Sequence, residues 1–206
     1  MTDLYLASRS SRRRDLLKQI GVRFEPLLLR LAQPRGPDID ELQHAEESAA
    51  AYVERVARAK AEFGLRVLGM RSMLVKPVLA ADTIVIVDGE VLGKPADRIE
   101  AAAFLRRLAG RSHEVRTAVA LASGGSSATH VNAVTSVTRV RMRPVSDAEV
   151  TAYCATGEPY DKAGGYAIQG MAAIFIDRIE GSYSGVMGLP LSETADLLRQ
   201  AGMPVL

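Results

Sequence analysis

Hydrophobic residues recur with two periods along this chain, and the changes from one period to the other outline its elements. A short apolar run, "LYLAS" (Leu4 to Ser8), predicts a strand. Serines lead from it into residues 12–21, where Leu16, Leu17 and Ile20 recur at helical spacing and Gly21 supplies a stop. "VRFEPLLLRL" alternates briefly and predicts a second strand, and "AQPRGPDIDELQHAEES", rich in Pro, Gly and acids, predicts a loop. Residues 46–63 carry Ala49, Val53, Val56, Ala57 and Ala61 on one face and predict a long helix. "VLAADTIVIVDGEVLGKP" predicts a buried strand, a turn at Asp88–Gly89 and a second short strand reaching Lys94. Asp-Gly between apolar runs favours a hairpin because both turn positions need positive φ.

Residues 97–109 predict another helix, ended by Gly110. "HEVRTAVALAS" and "HVNAVTSVTRVRMR" predict strands parted by the flexible "GGSSAT". Ser146 followed by Glu149 has the spacing of a capping box. "GEPYDKAGGYAIQG" then predicts a glycine-studded loop, "AAIFIDRIEG" a strand, and residues 190–201 a closing helix. Strands alternate with helices in both halves, so the class is α/β, with a mixed twisted sheet flanked by helices. No internal repeat and no linker parts two independent domains, so residues 1–206 are expected to form one.

Composition narrows the function classes. With 48% hydrophobic and 24% charged residues the chain is expected to fold, and a net charge of +2 is too balanced for a nucleic-acid coat or a membrane-surface protein. Anion binding, if present, is therefore local. One cysteine, Cys154, excludes an internal disulfide and a cysteine metal cluster. "MTDLYLAS" has no apolar signal core, and no apolar run reaches the roughly 18–20 residues of a membrane span, so the cytoplasm is expected.

Against that background the first helix is inconsistent with stability alone. Arg12, Arg13 and Arg14 fall in its first turn, where the helix dipole already places positive charge. A strand, a serine-rich turn and a helix start present backbone N–H groups to a phosphate, and arginines add charge-assisted bonds to its oxygens; the plainer alternative is a solvated basic patch. Asp82 sits among Ala, Val and Ile, where a carboxylate is costly to bury unless paired, so it is either a metal ligand or catalytic base, or a turn-capping residue. Asp38, Asp40 and Glu41 in "DIDE" are solvated acids unless they meet Asp82 and hold Mg²⁺. Lys60 in "ARAKAEF" and Lys94 in "LGKP" are solvent-exposed unless a phosphate draws on them. Gln169, in the loop "DKAGGYAIQG", offers the donor and acceptor that complement a uracil or thymine edge. There is no Walker A loop, no H-E-x-x-H and no G-x-S-x-G, and Cys154 reads as structural.

Seven stretches together resemble the Maf family of nucleoside triphosphate pyrophosphatases: "LYLASRSSRRRDLL", "DIDE", "YVERVARAKA", "AADTIVIVDGEVLGKP", "LAGRSHEVRTAVAL", "GEPYDKAGGYAIQG" and "GSYSGVMGLPLSET". They run in family order over nearly the whole chain. The resemblance implies a Maf/ITPase-like α/β fold of two lobes around a central nucleotide cleft. It implies hydrolysis between the α- and β-phosphates to a monophosphate and pyrophosphate, a divalent metal (Mg²⁺ or Mn²⁺), and a homodimer. Carried over by residue, it makes Asp82 the proton acceptor and, with Glu41, a metal contact. Ser8, Arg13, Lys60 and Lys94 become phosphate contacts, and Arg12, Thr83 and Gln169 the positions that separate substrate subgroups. The glycine loop with Gln169 resembles the dTTP/UTP subgroup; the 7-methyl-GTP subgroup carries an acid in place of the Gln. A non-catalytic nucleotide-binding regulator of cell division is the more distant alternative. One departure is Ser11, where the family has proline before the arginines; serine is expected to cap the helix instead.

Overall fold

Side-chain oxygens start four of the helices. The computed structural model describes residues 3–29, 39–125 and 128–205. After strand β1 (Leu4–Leu6), helix α1 (Ser11–Gln19) is capped by Ser10, whose Oγ accepts from the Arg13 N–H at 3.4 Å. The cap is thus Ser10, and Ser11 is the first helical residue. Strand β2 (Phe24–Pro26) is shorter than the predicted run. Helix α2 (Ala49–Met70) starts on Ser48 and continues past residue 63, because Leu65, Val67 and Leu68 remain buried. Asp97 caps α3 (Arg98–Leu108), and Ser146 and Glu149 form the expected capping box of α4 (Asp147–Cys154). Each such cap contributes about 1 kcal/mol.

The strands are β3 (Val78–Val87), β4 (Glu90–Leu92), β5 (Ser112–Gly125), β6 (Ala128–Met142) and β7 (Ile176–Glu180), and α5 (Tyr183–Met187) and α6 (Leu191–Gln200) close the chain. Their order among the described residues is β2-β1-β3-β5-β6-β7, with β4 on β3. β1 pairs parallel with β2 and β3; β3–β4 and β6–β7 are antiparallel, so the sheet is mixed as predicted. Asp88 (φ 54°) and Gly89 (φ 80°) make the β3–β4 hairpin turn. Three differences stand out. Lys94 lies beyond β4 and not on it. Met171–Phe175 is a 3₁₀ segment whose Ala172 and Phe175 are buried, three apart, while Ile174 is exposed. The short α5 lies in "GSYSGVM", for which the sequence pattern predicts no element.

The chain divides into two compact units, one of Met1–Asp82, Thr117–Thr135 and Gly188–Leu206, the other of Thr83–Arg116 and Ser136–Met187. The first packs Leu4, Leu6, Leu17, Leu27, Leu68, Leu79 and Leu198 out of solvent. Its α2 approaches β3 at Gly64, where a Cβ would lie only 2.7 Å from Val78 Cγ1. The second centres on Val85, Leu105, Leu108, Met142, Tyr153 and Phe175, the last two rings meeting edge-on at 5.6 Å.

Candidate active site

The close approach at Gly64 carries Lys60, one helical turn earlier, to Asp82, four residues along β3 from Val78. Lys60 Nζ donates to Asp82 Oδ1 at 2.8 Å and to Glu41 Oε2 at 2.9 Å. The Lys60 and Asp82 side chains are only 14% and 15% exposed, so the lysine is not the solvated one that its surroundings in sequence suggest. Asp82 is neither unpaired nor a turn cap; it lies inside a strand with a cation against it. Breaking a buried pair of this kind by removing one partner strands the other charge. Glu41 reaches the cluster from the loop before α2. Asp38 and the "AQPRGP" run ahead of it lie outside the described residues.

The arginine-rich turn is built against the same cluster. Arg13 Nε donates to the Gly188 carbonyl at 2.7 Å and its Nη1 to Ser8 Oγ at 3.4 Å, tying the start of α1 to the segment before α6. Ser8, which is buried, also accepts from the Ser10 N–H at 3.2 Å. Burial lowers the proton affinity of the Arg13 guanidinium, and the negative charges of Asp82 and Glu41 oppose the adjacent Arg12 in restoring it. The cationic turn therefore faces two carboxylates of its own chain. Ser8, Arg13, Glu41, Lys60 and Asp82 form one constellation within the first unit, with the half-buried Arg12 in the same turn.

Thr83, Lys94 and Gln169 belong to the second unit. Lys94 and Gln169 are exposed. The loop carrying Gln169 is pinned to its own unit at several points. Gly164 N–H donates to the Gly93 carbonyl, next to Lys94, at 2.9 Å. Gly164 has φ +69°, and a Cβ there would sit 2.8 Å from Val85. Glu158, which has no sequence signal, accepts from Tyr153 Oη at 2.9 Å and from the N–H groups of Met171 (2.9 Å) and Ala172 (3.3 Å). Lys162 Nζ donates to the Glu158 carbonyl at 2.7 Å, which makes it an internal tie. Tyr166 Oη meets His113 Nε2 at 2.7 Å, both residues buried.

The donor set suits a hard divalent cation. Glu41 and Asp82 bring two carboxylates to the one Lys60 ammonium, and Mg²⁺ or Mn²⁺ is commonly held by one or two carboxylates together with substrate phosphates. Among the described residues there is no cluster of three His, Cys, Asp or Glu that would hold such an ion without substrate.

A family model described as Maf-like protein matches residues 3–201. The chain belongs to the Maf family. Its relatives within the family include a protein of Aromatoleum aromaticum that is 52% identical over 98% of this chain and 97% of its own length. Another, from Bordetella parapertussis, is 55% identical over 98% of this chain and 94% of its own. A third, from Nitrosomonas europaea, is 52% identical over 98% and 96%. All three bear the name dTTP/UTP pyrophosphatase. Among solved structures, the Staphylococcus aureus Ham1 protein is similar over 66% of this chain and 71% of its own, with a TM-score of 0.40 and 19% identity. No helix among the described residues is long and apolar enough to cross a membrane.

The site's supports in this Maf chain predict its acid response. His113 is held neutral by burial, its pKa lowered from 6.5 to about 4. Between those values the unfolded chain binds the extra proton, so stability falls as pH drops from 6.5 to about 4, by an amount of order 3 kcal/mol. Glu47, bonded to Arg55, and Glu149, bonded to Arg143, are lowered from 4.5 to about 2. Their contributions are complete above 4.5 and disappear as pH falls toward 2. Denaturant midpoints measured from pH 8 to 3 are expected to fall in these two stages, and His113→Asn is expected to abolish the upper one.

Proposed function

We propose that this chain is a nucleotide pyrophosphatase that hydrolyses dTTP and UTP between the α- and β-phosphates, giving the monophosphate and pyrophosphate. The observation that carries the reading is Lys60 held between Asp82 and Glu41 beside Arg13, in a chain half-identical to proteins named for that activity. Phosphoryl chemistry on a polyanion is mostly positioning and charge neutralisation, and this cluster supplies both.

In this reading water attacks the α-phosphorus, the bond to the bridging oxygen breaks, and pyrophosphate leaves. With Oδ1 of Asp82 held by Lys60, the water gives its proton to Oδ2. Arg13, Lys60 and Lys94 offset charge on the phosphates, and Ser8 orients Arg13. Glu41 and Asp82 would hold a divalent ion, which supplies Lewis-acid polarisation of the phosphates when bound. Arg12, Thr83 and Gln169 discriminate between nucleotides, with the amide of Gln169 pairing to the N3–H and carbonyl of uracil or thymine. Residues 1–206 act as one catalytic domain, and the enzyme works in the cytoplasm as a homodimer; the buried, unpaired Cys154 fits a reducing compartment.

The products test the reading. Incubation of dTTP with the protein and Mn²⁺ in ¹⁸O-labelled water is expected to yield labelled dTMP and unlabelled pyrophosphate. Release of dTDP and inorganic phosphate would refute it.

A further inference from the structure

Glu41 lies in a stretch without helix or strand, and its side chain is 43% exposed, yet its carboxylate meets Lys60 at 2.9 Å. Its backbone is held by α2. Arg55 Nη1 donates to the Asp40 carbonyl at 3.1 Å and Nη2 to the Leu42 carbonyl at 2.7 Å, the two carbonyls that flank Glu41. Tyr52 Oη donates to the carbonyl of Glu41 itself at 2.7 Å. Three consecutive carbonyls thus accept from two side chains placed three apart on one helix. The guanidinium is fixed in turn by Glu47, whose carboxylate takes Nε at 2.7 Å and Nη2 at 3.0 Å, and which is only 11% exposed. Glu47 also accepts from the His44 N–H at 3.1 Å, closing the loop on itself. The helix that presents Lys60 therefore also sets where Glu41 stands.

We infer that Arg55, clamped by Glu47 and assisted by Tyr52, is a positioning residue that holds Glu41 at the carboxylate–lysine cluster where metal and triphosphate bind. The inference rests on the reading of Glu41 as a metal contact given above. Arginine is required because one planar fork spans two carbonyls and a carboxylate at once; the single ammonium of a lysine does not. Arg55→Lys keeps the charge and loses the span, so it separates positioning from electrostatics.

The test titrates Mn²⁺ by electron paramagnetic resonance into the protein with α,β-methylene-dUTP, alongside the unfolding midpoint. Arg55→Lys is expected to weaken Mn²⁺ binding by about 10–100-fold, the usual cost of losing a residue that orients a ligand. Glu41→Gln should weaken it comparably, and the double variant should be little worse than either single one. Tyr52→Phe, which removes one hydroxyl and keeps the ring, should cost about 2–10-fold without loss of fold. If Glu41→Gln weakens binding and Arg55→Lys lowers only the unfolding midpoint, the inference is overturned while Glu41 keeps its role. Effects of Arg55→Lys and Glu41→Gln that multiply in the double variant also overturn it. Unchanged Mn²⁺ binding in Glu41→Gln, or none in the wild type, refutes the role of Glu41 and the inference with it.

Discussion

Asp82→Asn is expected to lower kcat on dTTP by at least about 10²–10⁴-fold, the usual worth of a positioned general base. The substitution is nearly isosteric, and the amide oxygen still accepts from Lys60, so the 2.8 Å bond persists. What is lost is the capacity to take a proton and one negative charge toward a metal. KM is therefore expected to change far less than kcat, and the unfolding midpoint little. A variant that turns over at the wild-type rate would remove Asp82 from the chemistry. A variant that fails to fold would say instead that the charge is needed to hold Lys60 in place; the unfolding midpoint of Lys60→Met combined with Asp82→Asn then checks this, since it leaves no stranded cation.

Gly164→Ala is expected to have the largest effect on stability. Gly164 has φ +69°, a conformation that costs an alanine roughly 1–2 kcal/mol. The added Cβ would also stand 2.8–2.9 Å from three side-chain atoms of Val85, including its Cβ, which no rotamer change can move. Overpacking a filled core costs about 1–3 kcal/mol more. A total of about 2–5 kcal/mol corresponds to a midpoint roughly 4–20 °C lower for a chain of this length. The same strain would displace the loop ahead of Gln169, so selectivity among nucleotides is expected to degrade as well. By contrast Gly89→Asn, in a turn where nothing lies within 4 Å of a Cβ, should be nearly neutral. Equal midpoints for Gly164→Ala and the wild type would contradict the packing account.

The two kinds of glycine mark what the sequence disclosed. Asp88–Gly89 and the Ser146–Glu149 box depend on neighbours within four residues, and both stand where the pattern predicts them. Gly64 is different. In sequence it only weakens a helix, and it falls just past the predicted one; in the fold it admits Val78 and the helix continues to Met70. That contact is long-range, and it is the one that turns Lys60 from a surface lysine into the partner of Asp82. "AAIF" reads as a strand because apolar runs are ambiguous between periods, whereas the fold buries only Ala172 and Phe175. Arg55, Tyr52, Glu47 and Glu158 are not legible in the sequence because their partners are mainly carbonyls and N–H groups of irregular segments, which leave no residue pattern. The one available sign was that Tyr52 and Arg55 lie three apart in "YVERVARAKA", on the helix that bears Lys60.

The most direct measurement is pyrophosphate release from dTTP, UTP, CTP, dATP, GTP and 7-methyl-GTP, each with and without Mn²⁺. The account predicts metal-dependent turnover of dTTP and UTP, weaker turnover of CTP, and poor turnover of the purines. Turnover of 7-methyl-GTP alone, or silence on every nucleotide with Mn²⁺ present, would contradict it.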